Sequence, residues 1–194
     1  MISADVRIFH WLNGLVGRSS LFDNVVKLLA SDFFLPIMIT LAAFALWFVG
    51  KTPEARALNQ RAFLYAAIGA GFANLLVRIV NGHLYRARPF IAMPDTEVLF
   101  YRPHDPSFPS NAAAFAFAIT AGVFMVNRRW GMVIAVGAVL FTVARVIAGM
   151  HYPLDIVSGA LLGILTTWVF AKALDMADPL LQRMLAVVRW FHLA

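Results

Sequence analysis

The chain has 194 residues, of which 61% are hydrophobic and only 13% are charged, and its mean hydropathy is +0.77. Soluble domains carry about a quarter charged residues, so this composition excludes an ordinary soluble domain and predicts an integral membrane protein. The net charge of +6 comes from basic residues between apolar runs, which is typical of topology signals and anion ligands and not of a nucleic-acid-binding surface. Without cysteine, disulfides and thiolate metal sites are excluded.

The first two predicted elements are amphipathic. Residues 4–16 place apolar side chains on a broad face over a span too short to cross a bilayer, which predicts a helix at the membrane interface. Residues 21–29 are again amphipathic and lead into the first long apolar run, 33–49, in which Pro36 kinks or starts a helix. We expect a short polar loop over residues 50–61 to follow.

Four further apolar runs follow the first one. They cover residues 62–80, 112–126, 130–148 and 156–173. The run 112–126 is short but rich in Ala and Phe, and the last two runs have lengths near the roughly 20 residues that a bilayer requires. Residues 178–192 carry apolar side chains on one flank and predict a second interfacial helix. The predicted fold class is therefore all-α: a polytopic membrane helix bundle of five transmembrane helices, or six if residues 21–29 insert, in one domain over residues 1–194.

One long connection, residues 81–111, separates the second and third spans and is rich in Pro, His and Arg. Loops of this length are usually functional. The predicted topology places this connection and the 149–155 turn on one face of the membrane and the 50–61 loop on the other. When Arg88 and Arg145 are set aside as candidate ligands, the second face carries more Lys and Arg, which predicts that it is cytoplasmic.

The stretch from residue 144 to 155 puts Arg145, His151 and Asp155 at the junction of two apolar spans, where ionisable groups are costly. Pro153 predicts a new helix, so His151 lies just ahead of a helix N-terminus, which favours anions. Asp155 can accept one ring N–H of His151 and leave the other nitrogen as a nucleophile or base, and Arg145 offers donors that fit a phosphate. Simple helix capping by Asp155 beside an inert histidine is the alternative.

Two more clusters lie on the same predicted face. Arg86 and Arg88 precede Pro89 and could clamp an anion, although a solvated basic loop is the ordinary interpretation of such a pattern. Ser110 or Asn111 is a candidate N-cap directly before the third span. Two helix N-termini, two arginines and a His–Asp pair on one face together predict a phosphate site.

These residues resemble the three signatures of the type 2 phosphatidic acid phosphatase superfamily, over about residues 62–170. The first signature of that family is Lys, six residues, then Arg-Pro, and the second is Pro-Ser-Gly-His. The third is Ser-Arg, five residues, His, three residues, Asp. The matching positions in this chain are Arg88-Pro89, Pro109-Ser110 and the set of Arg145, His151 and Asp155.

The resemblance implies a phosphatase that removes a phosphate from a membrane lipid without a metal or other cofactor. His151 would attack phosphorus and form a phosphohistidine, and Asp155 would orient the ring. Fixed cations and helix ends would meet the charge that develops on the transferring group. The groups that would hold the phosphoryl oxygens are Arg88, Arg145, Ser110 and the backbone N–H groups around Asn111.

Four positions depart from the family pattern. Asn81 replaces the first-motif Lys, so one phosphate contact would be a neutral amide instead of a cation. Asn111 replaces the second-motif Gly and Ala144 the third-motif Ser. Ala112 stands where the family has its second His, the proposed acid that protonates the leaving oxygen, and losing a general acid typically costs on the order of a hundred- to ten-thousandfold. We therefore expect this chain to be nearly inactive and interpret it as an engineered His-to-Ala variant, with a natural binding or scaffold relative as the alternative.

The amino-acid sequence of residues 82–90 and 151–155 is most similar to that of the bacitracin-resistance branch of the family. Members of this branch convert undecaprenyl pyrophosphate to undecaprenyl phosphate. This similarity implies a multi-pass protein of the bacterial inner membrane, a site facing the periplasm or cell exterior, and a polyprenyl lipid as its partner. Phosphatidylglycerol phosphate, phosphatidic acid and lipid A are the alternative substrates. A lipid-binding or transport protein, in which Arg78, Arg88 and Arg145 line a pathway, is the alternative of another class.

Overall fold

The computed structural model describes residues 3–177, and its regular elements in that range are all helical. They are α1 (Ala4–Asn13), α2 (Ser20–Ala30), α3 (Phe34–Ala45) with the 3₁₀ turn Leu46–Phe48, α4 (Pro53–His83), α5 (Pro89–Ala92), α6 (Asn111–Val126), α7 (Arg128–Ile147) and α8 (Pro153–Met176). The prediction of an all-α fold is confirmed. The second interfacial helix predicted for residues 178–192 lies outside the described residues.

Three of these helices, α4, α7 and α8, are long and apolar enough to cross a membrane. Helices α2 and α3 meet the same criteria when taken together, as one span bent by 47° at a short break. Helix α6 has 16 residues and is also apolar. The chain is therefore a helical membrane protein, while the count of five to six spans stays a prediction.

The polar loop predicted over residues 50–61 is wrong, because α4 already begins at Pro53. Thr52 caps the helix by accepting a hydrogen bond from a backbone N–H of the first turn, and proline suits the first helical position. Helix α4 then runs for 31 residues to His83, so the connection predicted from residue 81 is shorter than expected. Arg56 and Arg61, which indicated a loop together with Lys51, lie along the first turns of this helix.

Helix α6 lies at the centre of the bundle and packs against α4, α7 and α8. Small residues allow this close approach: a Cβ atom at Gly122 of α6 would lie 2.3 Å from the backbone nitrogen of Ala66 in α4. A Cβ atom at Gly163 of α8 would lie 2.2 Å from the carbonyl oxygen of Ala114 in α6. Close packing of small residues is the usual way in which helices associate inside a membrane.

Contacts between helices mark the two ends of the bundle. At one end the backbone N–H of Ser110, before α6, donates to the carbonyl oxygen of Asp155 in α8 at 3.0 Å. At the other end the hydroxyl of Tyr65 donates to the carboxylate of Asp175. The 84–110 connection and the start of α8 therefore share one face, as the sequence predicts.

The amphipathic helix α1 lies on this same face. The amide of Asn13 donates to the carbonyl oxygens of Glu97 at 2.8 Å and Ile147 at 2.9 Å, and Phe9 is fully buried. The helix predicted for residues 4–16 is thus present but ends at Asn13, and it covers the ends of α7 and α8.

Candidate active site

The turn between α7 and α8 carries His151 and depends on a glycine. Gly149 has a φ of +80°, in the left-handed region that side chains rarely adopt, and a Cβ atom there would lie 2.5 Å from the carbonyl oxygen of Glu97. Pro153 then starts α8, as predicted. This tight turn places the ring of His151 inside the protein, with 3% of the residue exposed.

Both ring nitrogens of His151 have neighbours. Nδ1 lies 3.1 Å from the carbonyl oxygen of Ser107, and Nε2 lies 3.3 Å from a guanidinium nitrogen of Arg88. A carbonyl oxygen can only accept, so Nδ1 carries the hydrogen and Nε2 carries the lone pair. The nitrogen with the lone pair is therefore the one beside the arginine.

Asp155 does not hold His151 in the way that the sequence predicts. Its Oδ2 atom is 3.9 Å from Nδ1 of His151, which is too long for a hydrogen bond. The same oxygen accepts from the hydroxyl of Ser107 and from the backbone N–H of Tyr152, the latter at 2.9 Å. The carboxylate therefore reaches the ring through Ser107, because this serine supplies both the hydroxyl to Asp155 and the carbonyl to His151.

The other carboxylate oxygen of Asp155 accepts from Arg86 at 2.6 Å. Arg86 also pairs with Asp5 of α1 and lies 4.0 Å from the ring centre of Tyr152. Arg86, which the sequence offered as part of an anion clamp, is thus paired with Asp155 and Asp5 behind the histidine. Asp5 in turn accepts from the backbone N–H of Leu154 at 2.8 Å, so α1 is tied to the start of α8.

Arg88 is 3% exposed and is held on three sides. It donates to the carboxylate and the carbonyl oxygen of Asp105, both at 2.9 Å, and to the carbonyl oxygen of Met150 at 2.9 Å. Arg145 is 6% exposed and donates to the carboxylate of Asp32 and, at 3.2 Å, to the carbonyl oxygen of Ala30. Each predicted phosphate arginine is therefore paired with a carboxylate in this structure.

These residues surround one cavity of about 350 Å³. Its lining includes Asp32, Asn74, Arg88, Tyr101, Asp105, Asn111, Ala112, Phe115, Phe141, Arg145 and His151. Five of the positions predicted from sequence are thus brought together: Arg88, Asn111, Ala112, Arg145 and His151. The cavity lies at the N-terminal end of α6, where the first backbone N–H groups of a helix have no intrahelical partner.

Three predicted residues lie elsewhere. Ser110 is buried, and its hydroxyl oxygen accepts from the backbone N–H of Ala113 at 3.3 Å as the N-cap of α6. Asp155 lies behind His151, and Asn81 lines a neighbouring cavity. The N-cap contact of Ser110 is the ordinary role that the sequence offered as an alternative.

The electrostatic setting lowers the pKa of His151 well below its usual value. Burial is the largest cause, and the positive charges of Arg145 and Arg88 act in the same direction, while the hydrogen bond to Ser107 opposes them. A group with a lowered pKa stays deprotonated at neutral pH, so the ring is neutral and keeps its lone pair. Burial also lowers the pKa of Arg88, against the pull of Asp105, but a guanidinium starts from so high a value that it remains charged.

Sequence reasoning missed the carboxylates and the serine that surround the predicted groups. Asp32 and Asp105 pair with the two arginines, and Ser107 links Asp155 to His151. None of them forms a short-range pattern with its partner, because these contacts join residues 17 to 113 positions apart. Within residues 3–177, no group of three or more His, Asp and Glu side chains is arranged to hold a metal ion.

The fold and the cavity define a helical membrane protein in which a buried histidine and two arginines share one site, a combination suited to phosphoryl groups. The family model described as the PAP2 superfamily matches residues 60–178, and the chain belongs to that superfamily. It is thus a PAP2 lipid phosphatase by family. Helix α1, which supplies Asp5, and the break between α2 and α3, which carries Asp32, precede the matched residues.

The chain is similar to two curated relatives over most of its length. It is 27% identical to the undecaprenyl-diphosphatase BcrC of Bacillus subtilis over 173 residues, which cover 89% of this chain and 85% of the relative. It is 28% identical to the bacitracin transport permease protein BcrC of Bacillus licheniformis over 162 residues, covering 84% and 76%. The resemblance to the family and to its bacitracin-resistance branch is therefore confirmed.

Two solved structures share the fold. LpxE from Aquifex aeolicus superposes with a TM-score of 0.70 at 24% identity, covering 88% of this chain and 96% of that one. A PAP2-type phosphatidylglycerolphosphate phosphatase from Bacillus subtilis superposes with a TM-score of 0.61 at 23% identity, covering 90% and 85%. At these identities the likeness concerns the fold alone.

Proposed function

We propose that this chain converts undecaprenyl pyrophosphate to undecaprenyl phosphate through a phosphohistidine formed at His151. The observation that carries the proposal is the setting of this histidine: its Nε2 lone pair lies at the cavity beside Arg88, and its Nδ1 hydrogen bonds the carbonyl oxygen of Ser107. The similarity to an undecaprenyl-diphosphatase over most of the chain supports the choice of lipid.

The reaction proceeds in two steps. Nε2 of His151 attacks the terminal phosphorus, the bond from phosphorus to the bridging oxygen breaks, and undecaprenyl phosphate leaves with the electron pair. Arg88 and Arg145 exchange their carboxylate partners for the phosphoryl oxygens and offset the charge of the transition state, and backbone N–H groups at the start of α6, near Ser110 and Asn111, add donors. Water then attacks the phosphohistidine, the P–N bond breaks, and inorganic phosphate is released. No metal or other cofactor takes part in this scheme.

Asp155 acts on the histidine through Ser107 and not by direct contact. The hydroxyl of Ser107 donates to Asp155, and the serine carbonyl accepts the Nδ1 hydrogen of His151. This arrangement fixes the tautomer in which Nε2 is the nucleophile and stabilises the positive charge that the ring gains when it attacks.

Ala112 lines the cavity and cannot donate a proton to the departing oxygen. We therefore infer that turnover by this chain is slow and that substituting histidine at this position restores it. The same observation favours a second candidate function, in which the chain binds the lipid phosphate without hydrolysing it.

We further propose that residues 1–194 form a single domain in the bacterial inner membrane, with the cavity facing the periplasm or the cell exterior. The contacts of α1 with α7 and α8 support one domain, because the N-terminal helix takes part in the site. The orientation rests on the distribution of Lys and Arg between the two faces.

The test is phosphate release by the purified protein in the presence of a chelator, with vanadate as a phosphoryl mimic. The substrates are undecaprenyl pyrophosphate, phosphatidylglycerol phosphate, phosphatidic acid and lipid A. We expect Ala112→His to raise the rate on undecaprenyl pyrophosphate on the order of a hundredfold or more, and His151→Gln in that background to abolish both turnover and acid-labile ³²P labelling.

Three results would decide against parts of this proposal. No gain from Ala112→His would dispose of the idea that a missing acid limits the rate. A faster reaction with one of the other three lipids would replace the substrate. Vanadate and lipid binding without any labelled histidine, in the parent and in Ala112→His alike, would establish the binding function instead.

A further inference from the structure

A second cavity of about 350 Å³ lies beside the first, at the end of α4. It is lined by Val77, Arg78, Asn81, Gly82, Asp105, Pro106 and Asn111. Asp105, Pro106 and Asn111 line the first cavity as well. The two cavities therefore share a wall.

Arg78 brings a positive charge to this second cavity. It is exposed, and within residues 3–177 it makes no hydrogen bond or ion pair with another side chain. Its neighbours Leu75 and Ile79 are 52% and 50% exposed, which is typical of a helix surface that faces lipid. A guanidinium at such a place is costly unless it reaches the interface or meets an anion.

Asn81 lies three residues after Arg78 and so on the same face of α4. Its Oδ1 atom is buried and has no hydrogen-bond partner among the described residues. Because no such partner fixes this oxygen, the amide can turn and present its NH₂ group to an acceptor in the cavity. A cation and an adaptable donor thus stand side by side.

We propose that Arg78 and Asn81 form a second anion subsite, which binds the lipid-linked phosphate of a diphosphate while Arg88, Arg145 and His151 bind the terminal phosphate. This inference rests on the proposed function and names the groups that distinguish a diphosphate from a monophosphate. It requires only that the terminal phosphate lie in the first cavity and the second phosphate across the shared wall.

The exposure of the two sites agrees with the order of the phosphates. His151, Arg88 and Arg145 of the first cavity are buried, whereas Arg78 is exposed on the helix surface that also carries the exposed Leu75 and Ile79. The phosphate that carries the hydrocarbon chain must be the one nearer the lipid. Arg78 is therefore placed to meet this phosphate, and its exposed apolar neighbours are placed to meet the chain.

The experiment compares the binding of inorganic phosphate and inorganic pyrophosphate to the full chain in phosphatidylcholine nanodiscs, by calorimetry. These soluble probes require no turnover, so the effect of Ala112 on the rate does not interfere. The variants are Arg78→Gln, Arg78→Lys and, as a matched control, Arg128→Gln, which removes one exposed guanidinium at the opposite end of the bundle.

We expect the parent to bind pyrophosphate more tightly than phosphate. Arg78→Gln should raise the Kd for pyrophosphate about tenfold and leave the Kd for phosphate unchanged, because one charge-assisted contact is lost in the second subsite only. Arg78→Lys should recover part of the loss, and Arg128→Gln should change neither constant.

The proposal is overturned if Arg78→Gln leaves the ratio of the two constants unchanged, whether both stay the same or both rise equally. An unchanged ratio would mean that Arg78 serves only to reach the membrane interface. A parent that binds neither probe, or binds both with no change on His151→Gln together with Arg88→Gln, would count against the proposed function itself. The two failures are therefore distinguishable.

Discussion

The substitution Asp105→Asn removes a negative charge from the cavity while it keeps the shape of the side chain. The carboxylate of Asp105 accepts from Arg88 at 2.9 Å, and its main-chain oxygen accepts from the same guanidinium at 2.9 Å. Asparagine retains an acceptor at both places, so Arg88 should keep its orientation. Because a phosphoryl group needs this guanidinium and is repelled by a carboxylate, we expect Asp105→Asn to bind phosphoryl mimics more tightly.

The exposure of the two side chains sets the size of the effect. The side chain of Arg88 is 4% exposed and that of Asp105 is 56% exposed, so water screens the pair from the aspartate side. Ion pairs of this kind contribute up to about 1 kcal/mol. When a ligand no longer has to displace this charge, the Kd for vanadate should therefore fall about fivefold.

The assay is vanadate binding by calorimetry in nanodiscs, with Asp95→Asn as the control. Asp95 is an exposed carboxylate of the same connection and has no role in the cavity lining, so its loss changes the net charge equally. An equal gain in both variants would show a general charge effect. A weaker affinity in Asp105→Asn would refute the idea that Asp105 occupies the place of a phosphoryl oxygen.

Three further changes test other parts of the site. In the Ala112→His background, Ser107→Ala should lower kcat about tenfold with little change in KM, because the link between Asp155 and His151 loses a charge-assisted hydrogen bond. In the same background, Arg145→Gln should move the acid limb of the pH–rate profile to higher pH: removing a cation that lowers the pKa of His151 lets the ring protonate, and lose its lone pair, at a higher pH. Gly149→Ala should lower the free energy of unfolding by about 1–2 kcal/mol or more, because the left-handed turn disfavours a side chain and a Cβ atom would lie 2.5 Å from a carbonyl oxygen.

Each of these changes has its own measurement and control. Steady-state kinetics measure the effect of Ser107→Ala, and an unchanged kcat would contradict the link through this serine. For Arg145→Gln the readout is the midpoint of the acid limb and not the rate, and a midpoint that stays in place or moves down would contradict the argument. For Gly149→Ala the measurement is denaturant unfolding in detergent. The control is Gly71→Ala, because a Cβ atom at that position meets nothing within 4 Å. Equal losses in the free energy of unfolding of the two variants would contradict the turn argument.

Helix placement followed from local pattern wherever the apolar run and its cap were both visible. Pro153 marked the first residue of α8, and Ser110 marked the cap of α6. The start of α4 was misplaced because the charged residues after Gly50 resemble a loop when hydropathy alone is considered. Thr52 and Pro53 carried the capping signal that overrides this impression.

The sequence also predicted which face would carry the cationic groups, since chain direction alternates between successive spans. It did not predict what those groups contact. The distance between Asp155 and His151 in the chain suggested a direct hydrogen bond, but the serine from the 84–110 connection lies between them. Asp32 and Asp105 carry no motif, and their pairing with Arg145 and Arg88 depends on how α3 and the connection pack.

Composition, apolar run length and the spacing of Arg145, His151 and Asp155 by themselves determined a helical membrane protein with a histidine near the start of a helix, because these features depend on local periodicity and on the cost of charge in lipid. The tertiary structure alone decided that Ser107 links the carboxylate to the ring, that carboxylates cover both arginines, and that a second cavity shares a wall with the first. Those contacts join residues far apart in the chain, and no interaction between neighbouring residues specifies them.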